Sequence, residues 1–395
     1  MIIIGNKPYY TIKLNNIIDT FDENIRCNFS LPNNNNGTKP YMQFLNCHVY
    51  HNITNNNCLK CYIKNTNSDE QYILNFIKCF DKNNYKKIYN QNNSNRIVYN
   101  QYLKNMNCPY QFNKLPRLGC NAIFDILLKN KKLVYISHFS LAHVNHIEHI
   151  EHLYNIKRKP SSCHNINDEI NIIKWLHNHN KIDATLCMLK DVTLPTFDCS
   201  QIKPSIYITH LLLKEYGICI LENFFEDTDI INFIKEFEFI FNNHKDSIDI
   251  LDKEECNFIK DKFYNNPFLN EIALKYNKNL NKNTLLLNKL VYEDGIVKNS
   301  DNGWQRDNHT CQFKTLMYLS DVTHENGNFQ FLTNSNTEQI GFHKTITPET
   351  IKNNQNIELH DIVGNKGTIV LVDTTYIHRD NIIKNGERIT MTQYI

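Results

Sequence analysis

The first residues constrain the fold most. Met1 to Ile4 is an apolar run that stops at Gly5-Asn6, a strand breaking into a turn. A second apolar patch, Ile17-Ile18, precedes Asp19-Thr20-Phe21-Asp22, and Ile25-Arg26-Cys27-Asn28 closes another short strand. Strand, Gly-Asn turn, short helix and strand form the opening of a nucleotide-binding α/β unit, whose ligand sits past the carboxyl ends of the strands. A Rossmann-like first domain is therefore expected.

With 395 residues, the prior is two domains. The formal net charge of +2 gives no broad field for nucleic acid or an acidic membrane, and neither partner is expected. The 13 cysteines form no disulfide framework, and no signal peptide or spanning segment is visible. A cytoplasmic protein with reduced thiols is expected. Cys58-x-x-Cys61 has zinc-ligand spacing, near Cys47, His48 and His51, but no second pair follows at finger spacing.

Gly5-Asn6, Ile18-Asp19, Asp22, Arg26-x-Asn28 and Gly37-x-Lys39 resemble, in order and spacing, the large sialyl motif of the eukaryotic-type sialyltransferases, glycosyltransferase family 29. The resemblance implies that Asn6 and Asn28 hold the nucleotide of a CMP-sugar beside Gly5, a role suited to amides that both donate and accept. Leu115 to Ser140 resembles the small sialyl motif. Pro116, Gly119 and Phe139 match it, whereas Arg117, Leu118 and His138 depart from it. A glycine opening a helix lets the backbone approach a phosphate, so Gly119 joins the nucleotide site. Arg117 reads equally as a phosphate contact or an exposed structural residue. In secretory members of the family a disulfide joins these two motifs. Here Met1 stands about where one cysteine is expected, and Leu128 to Lys132 holds none.

His143, His146, His149 and His152 recur every third residue. The resemblance places a histidine near the leaving phosphate in this interval, and His149 or His152 fits. His164, then Glu169 in the first turn of a helix capped by Asn167 or Asp168, resembles the very small sialyl motif. Its histidine is the general base that deprotonates the acceptor hydroxyl, which implies that role for His164. Glu169 is read as positioning the helix. The transfer implied is inverting and needs no metal or other cofactor.

After the polar segment Phe197 to Pro204 the pattern changes. Helices are expected over Asp227–Asn242 and Pro267–Tyr276, and strands over Thr284–Tyr292, Gln312–Leu319, Gly327–Leu332 and Thr368–Val372. Gly303-Trp304-Gln305-Arg306-Asp307, Lys314, Tyr318 to Val322, Gly364 to Asp373, His378-Arg379 and Arg388 resemble the phytanoyl-CoA dioxygenase family of Fe(II)/2-oxoglutarate oxygenases. That implies a double-stranded β-helix with a His-x-Asp…His metal triad. Asp307 matches the carboxylate, His378 the distal histidine, and Arg388 the arginine that pairs with the far carboxylate of 2-oxoglutarate. Gln305 occupies the first histidine position and supplies a weaker, neutral amide oxygen.

The expected α/β chain is a Rossmann-like, nucleotide-sugar-binding glycosyltransferase domain (1–198), a linker (199–205) and a jelly-roll, oxygenase-like domain (206–395). The expected function is transfer of sialic acid or a related sugar from a CMP-sugar donor to a hydroxyl on a glycan or small-molecule acceptor. The alternatives are an Fe(II)/2-oxoglutarate dioxygenase as the main activity, and a catalytically degenerate binding or scaffold protein.

Overall fold

The computed structural model describes residues 1–5, 11–27, 41–46, 86–89, 93–129, 133–139, 150–151, 157–158, 165–190, 192–241, 248–250, 256–277, 284–292, 303–307, 313–336 and 357–394. The chain forms two compact units, Met1–Thr193 and Leu194–Ile395.

The first unit is built on a parallel sheet. Its strands are β1 (Ile2–Ile4), β2 (Asn24–Cys27), β3 (Tyr41–Asn46), β4 (Lys86–Tyr89), β5 (Val134–Ser137) and, after a small hairpin of β6 (Ile150–Glu151) and β7 (Lys157–Arg158), β8 (Ile182–Asp183). The six-stranded order is β4-β3-β2-β1-β5-β8, every pair parallel. β1 lies inside the sheet and is buried at all three isoleucines, as strands covered on both faces require. The order reverses at β1, with β2 on one side and β5 on the other.

Among the described residues, four helices accompany this sheet: α1 (Asn15–Ile18), α2 (Asn93–Asn105), α3 (Leu118–Lys129) and α4 (Ile166–Asn178). α3 lies against β1, β2 and β5 and buries Ala122, Ile123 and Phe124. Tyr99 of α2 stacks on Phe124 with ring centroids 4.8 Å apart. α4 buries Ile166, Ile170, Ile173 and Leu176, one helical face. The cap of α4 is Asn165, which accepts from the Asp168 amide at 3.4 Å, and not Asn167 or Asp168 as expected. The helix starts earlier because Ile166 belongs to its buried face.

In the second unit, β9 (Thr196–Asp198) pairs in parallel with β10 (Ile218–Glu222). The expected linker therefore begins directly after a sheet strand. Cys199 and Ile202 are buried, and the Cys199 amide donates to the Glu222 carbonyl at 2.8 Å. Polar composition there reflects a turn packed on the sheet, not a tether. α5 (Ile206–Tyr216), α6 (Asp227–Phe241) and α7 (Pro267–Tyr276) are the unit's longer helices. Asn266 caps α7 by accepting from the Phe268 and Leu269 amides, with Pro267 tolerated in the first turn.

The remaining strands are β11 (Ile248–Asp249), β12 (Thr284–Val291), β13 (Phe313–Tyr318), β14 (Phe329–Thr333), β15 (Glu358–Ile362), β16 (Ile369–Asp373), β17 (His378–Asp380) and β18 (Glu387–Tyr394). A seven-stranded sheet has the order β11-β12-β18-β13-β16-β10-β9, and a three-stranded sheet the order β15-β14-β17. An isolated antiparallel bridge between Gln305 and His378 adds segment 303–307 beside β17. From β12 onward, β12, β13, β16 and β18 thus join the larger sheet, while 303–307, β14, β15 and β17 join the smaller. That alternation is the double-stranded β-helix, a jelly roll. Leu316, Tyr318, Val370 and Val372 of one sheet share a core cluster with Phe329, Phe331 and Ile362 of the other.

Gly217 ends α5 in the left-handed region at φ +73°, and its amide donates to the Leu213 carbonyl at 2.8 Å. A Cβ there meets the Tyr376 ring at 2.5 Å. Gly217→Ala is therefore expected to destabilise the second unit by about 2–4 kcal/mol in urea unfolding, combining backbone strain with overpacking. Gly303→Ala, whose added Cβ meets no atom of the described residues within 4 Å, is expected to change stability by less than about 0.5 kcal/mol. Equal effects would show that packing at Gly217 is looser than this geometry implies.

Candidate functional site

Strand alternation aims one set of side chains into the jelly roll. Arg388, Thr390, Thr392 and Tyr394 of β18, with Lys314 and Leu316 of β13, line a cavity of about 280 Å³. Leu286 and Asn288 of β12 line it too, and Gln305, Phe329, His378 and Asp380 close it from the smaller sheet.

The Gln305–His378 bridge sets the site's register. Each amide donates to the other's carbonyl at 3.0 Å, so both side chains leave the sheet on one face. Asp307, two residues on, shares the face of Gln305, and its amide donates to the Thr374 carbonyl at 3.1 Å. His378 Nδ1 lies 2.9 Å from the Tyr376 carbonyl oxygen and donates to it. In the neutral ring this leaves the lone pair on Nε2, the arrangement found in metal-ligating histidines. Nε2 faces Asp307 Oδ2 at 3.6 Å. In that form the facing pair needs a cation between them; with Nε2 protonated the ring itself donates towards Asp307.

Lys314 supplies one positive charge from the other side: its Nζ pairs with Asp307 Oδ2 and lies 4.4 Å from the Tyr394 ring centroid. Burial alone pushes the Asp307 carboxyl up, but the His378 ring and the Lys314 ammonium outweigh it and hold the group well below the usual carboxylate range. The carboxylate form that a metal requires is thus favoured in place. Carboxylate, imidazole Nε2 and an amide fit a divalent iron, with the amide as the weak member. Among the described residues no group of three His, Cys, Asp or Glu side chains gathers, and Gln305 lines the cavity beside His378.

Arg388 lines the same cavity but is already engaged. Its two terminal nitrogens reach Asp380 Oδ1 and Oδ2 at 2.9 and 2.7 Å, and one also donates to the Gly327 carbonyl. Burial lowers the guanidinium's affinity for its proton, and the Asp380 carboxylate more than restores it. Burial raises the Asp380 carboxyl, and Arg388 chiefly reverses that shift. Sequence reasoning singled out neither partner as a site residue. Arg388 was read from the resemblance alone; alternation along β13 puts Lys314 on one face with Leu316, a signal the sequence did carry.

In the first unit, Gly5 and Gly119 come to one edge of the sheet. The Gly5 amide donates to the Ser137 carbonyl at 2.8 Å, and a Cβ on Gly5 collides with the His138 carbonyl oxygen. A Cβ on Gly119 collides with the Phe139 ring. Both glycines therefore sit against residues 138–139 at the carboxyl end of β5, where the strand order reverses, the place at which open α/β sheets bind ligands. His138 occupies the left-handed region at φ 59°, and its Nδ1 lies 2.6 Å from Ser137 Oγ. Glu169 in the first turn of α4 accepts from the Arg117 amide at 2.7 Å and pairs with Arg117 Nε at 2.5 Å. The Arg117 guanidinium is thus committed to a side-chain partner, and Glu169 ties α4 to the turn before α3. Asn6, Asn28, His149, His152 and His164 lie outside the described residues, as do Cys47, Cys58 and Cys61.

Burial pushes the Cys27 and Cys199 thiols up to about 12, and both are free core thiols. Among the described residues no helix is long and apolar enough to cross a membrane.

No protein-family model matches the sequence, and no curated protein matches it. Solved structures resemble it over about half its length. The non-heme α-ketoglutarate-dependent epimerase SnoN from nogalamycin biosynthesis aligns over 48% of this chain and 82% of its own, at 10% identity and TM-score 0.40. HygX from Streptomyces hygroscopicus, solved with nickel and 2-oxoglutarate, aligns over 47% and 85% at 13% identity and TM-score 0.37. EctD from S. alaskensis, solved with 2-oxoglutarate and 5-hydroxyectoine, aligns over 47% and 73% at 14% identity and TM-score 0.40. Strand order and register, not these likenesses, assign the jelly roll.

Restoring an imidazole tests the metal geometry. Gln305→His is expected to tighten Mn(II) binding on the order of tenfold, ~1.4 kcal/mol, by calorimetry. Unchanged affinity would place the metal away from the Gln305 side chain.

Proposed function

We propose that the second unit is an Fe(II)- and 2-oxoglutarate-dependent oxygenase domain acting on a small molecule or glycan. The observation that carries this reading is Asp307 Oδ2 facing His378 Nε2 at 3.6 Å, with Nδ1 committed to a backbone carbonyl. Asp307, His378 and the Gln305 amide would hold the metal, and Arg388 would receive the far carboxylate of the acid. Bound iron and 2-oxoglutarate supply the oxidising chemistry, in which decarboxylation of the acid drives oxidation of a substrate. The protein's own part is to orient and shield. Tyr376 fixes the His378 ring, and Lys314 and His378 hold Asp307 ionised. Leu316, Phe329 and Val372 give the cavity an apolar wall that limits water. The test is 2-oxoglutarate consumption with Fe(II) and oxygen, expected in the wild type and reduced at least about a hundredfold in Asp307→Ala. A wild type that neither binds nor consumes 2-oxoglutarate in the presence of iron overturns the reading.

A separate observation favours a second activity, in the first unit. Gly5 against His138 and Gly119 against Phe139, at the reversal of a parallel strand order, support a nucleotide site there. The reading is transfer of a sugar from a CMP-sugar to a hydroxyl, with His164 as base, Asn6 and Asn28 on the nucleotide, and His149 or His152 at the leaving phosphate. CMP is expected to bind without added metal, and Asn28→Ala to weaken it by about tenfold, roughly one charge-assisted hydrogen bond. CMP binding unaffected by Asn28→Ala and Gly119→Val would remove this assignment. Absence of both CMP and metal binding would leave the scaffold reading.

A further inference from the structure

Lys314, Arg388 and Asp380 line the second unit's cavity, Asp307 reaches it through Lys314, and each of these charges has an internal partner. Lys314 Nζ sits on Asp307 Oδ2, and Arg388 grips both oxygens of Asp380. These are the groups the oxygenase reading assigns to the cofactors: Asp307 to the metal, Arg388 to the dicarboxylic acid. Each cofactor position is thus filled by a side chain carrying the same sign of charge as the cofactor, an ammonium where the cation belongs and a carboxylate where the acid belongs.

Loading the cavity must break both pairs. A metal on Asp307 leaves the Lys314 ammonium without its carboxylate, and an acid on Arg388 leaves the Asp380 carboxylate without its guanidinium. The two leftovers have opposite charge. They are also close enough to feel one another. Lys314 and Asp380 line the same cavity of about 280 Å³ from its two facing sheets, and Asp380 lies two residues beyond His378 on β17. Lys314 is 12% exposed, so its ammonium has little solvent to retreat into once displaced.

We propose that Lys314 couples the two loading steps: a divalent cation on Asp307 and His378 displaces its ammonium, which draws Asp380 off Arg388 and opens the guanidinium to the acid. The proposal rests on the oxygenase reading of this site. No covalent bond changes; ion pairs exchange, and every charge keeps a partner.

Glutarate tests this better than 2-oxoglutarate, because it lacks the keto oxygen that would chelate the metal directly. Calorimetric titration of the full chain with glutarate, with and without Mn(II), is expected to show Mn(II) tightening glutarate at least about tenfold, within the usual range of coupling between sites. In Lys314→Met the coupling is expected to fall below about twofold, while Mn(II) alone binds more tightly because its internal competitor is gone. In Asp380→Asn, glutarate is expected to bind tightly without metal. Thermal melts establish that each variant is folded, and Lys314→Gln replaces Lys314→Met if the latter is not. Full coupling retained without Lys314 overturns the relay alone. A wild type that binds no Mn(II) overturns the oxygenase reading and the relay with it.

Discussion

A charge inside a closed barrel needs a partner, and that requirement arranges the interior of the second unit. An isolated ion moved out of water costs far more than any single contact returns, so buried ions occur in pairs with good geometry. Arg388, 2% exposed, meets Asp380 through a two-point fork, the geometry a guanidinium is shaped for. Asp307 lies between the Lys314 ammonium and the His378 ring. Each ion pair joins neighbours along the chain, Asp307 with Lys314 and Asp380 with Arg388, the latter eight residues apart, while His378 of β17 reaches Asp307 from far along the sequence. They meet because the chain alternates between two sheets, and their side chains follow from register.

The first unit solves a different problem. Its strands are parallel, so their carboxyl ends collect at one edge, and what the edge needs is room for backbone. Gly5 ends β1 against the His138 carbonyl, and Gly119 starts α3 against the Phe139 ring. A side chain at either place pushes the end of β1 or the start of α3 away from residues 138–139. The α4 end is held by charge instead: Glu169 grips the Arg117 backbone and side chain, and Asp168 accepts from the Asn113 amide and side chain at 3.1 and 3.0 Å. One acidic helix start thereby anchors the turn that leads into α3.

Local patterns were legible where local physics decides. The helix expected over Pro267–Tyr276 spans those residues, because Asn266, Pro267 and the apolar stripe all act within one turn or two. The strands expected over Thr284–Tyr292, Gln312–Leu319 and Thr368–Val372 appear within a residue or so of those limits. Pairing across the two sheets was less legible, even between residues close in sequence. Lys314 reads as one polar residue at a strand's start, and only the fold shows it beside Asp307. Arg388 stood out by spacing, but spacing cannot tell that Asp380 takes its fork. The segment 199–205 looked like a tether since composition reports polarity and not the burial of Cys199 and Ile202.

In the proposed metal site, Gln305 would weaken binding without changing the charge. An amide and a neutral imidazole are both uncharged donors, so replacing one with the other alters bond strength and leaves the electrostatic demand on Asp307 alone. Lys314, Asp307, Arg388 and Asp380 sum to zero. A divalent cation and a doubly charged acid also sum to zero, so a cavity filled with both remains neutral. A cavity filled with either one alone does not, and in a low-dielectric interior that imbalance is costly. In the proposed oxygenase, this pairing of opposite charges thus favours an interior that takes both ligands or neither, and the weaker donor at Gln305 would make the metal more dependent on the acid that arrives with it.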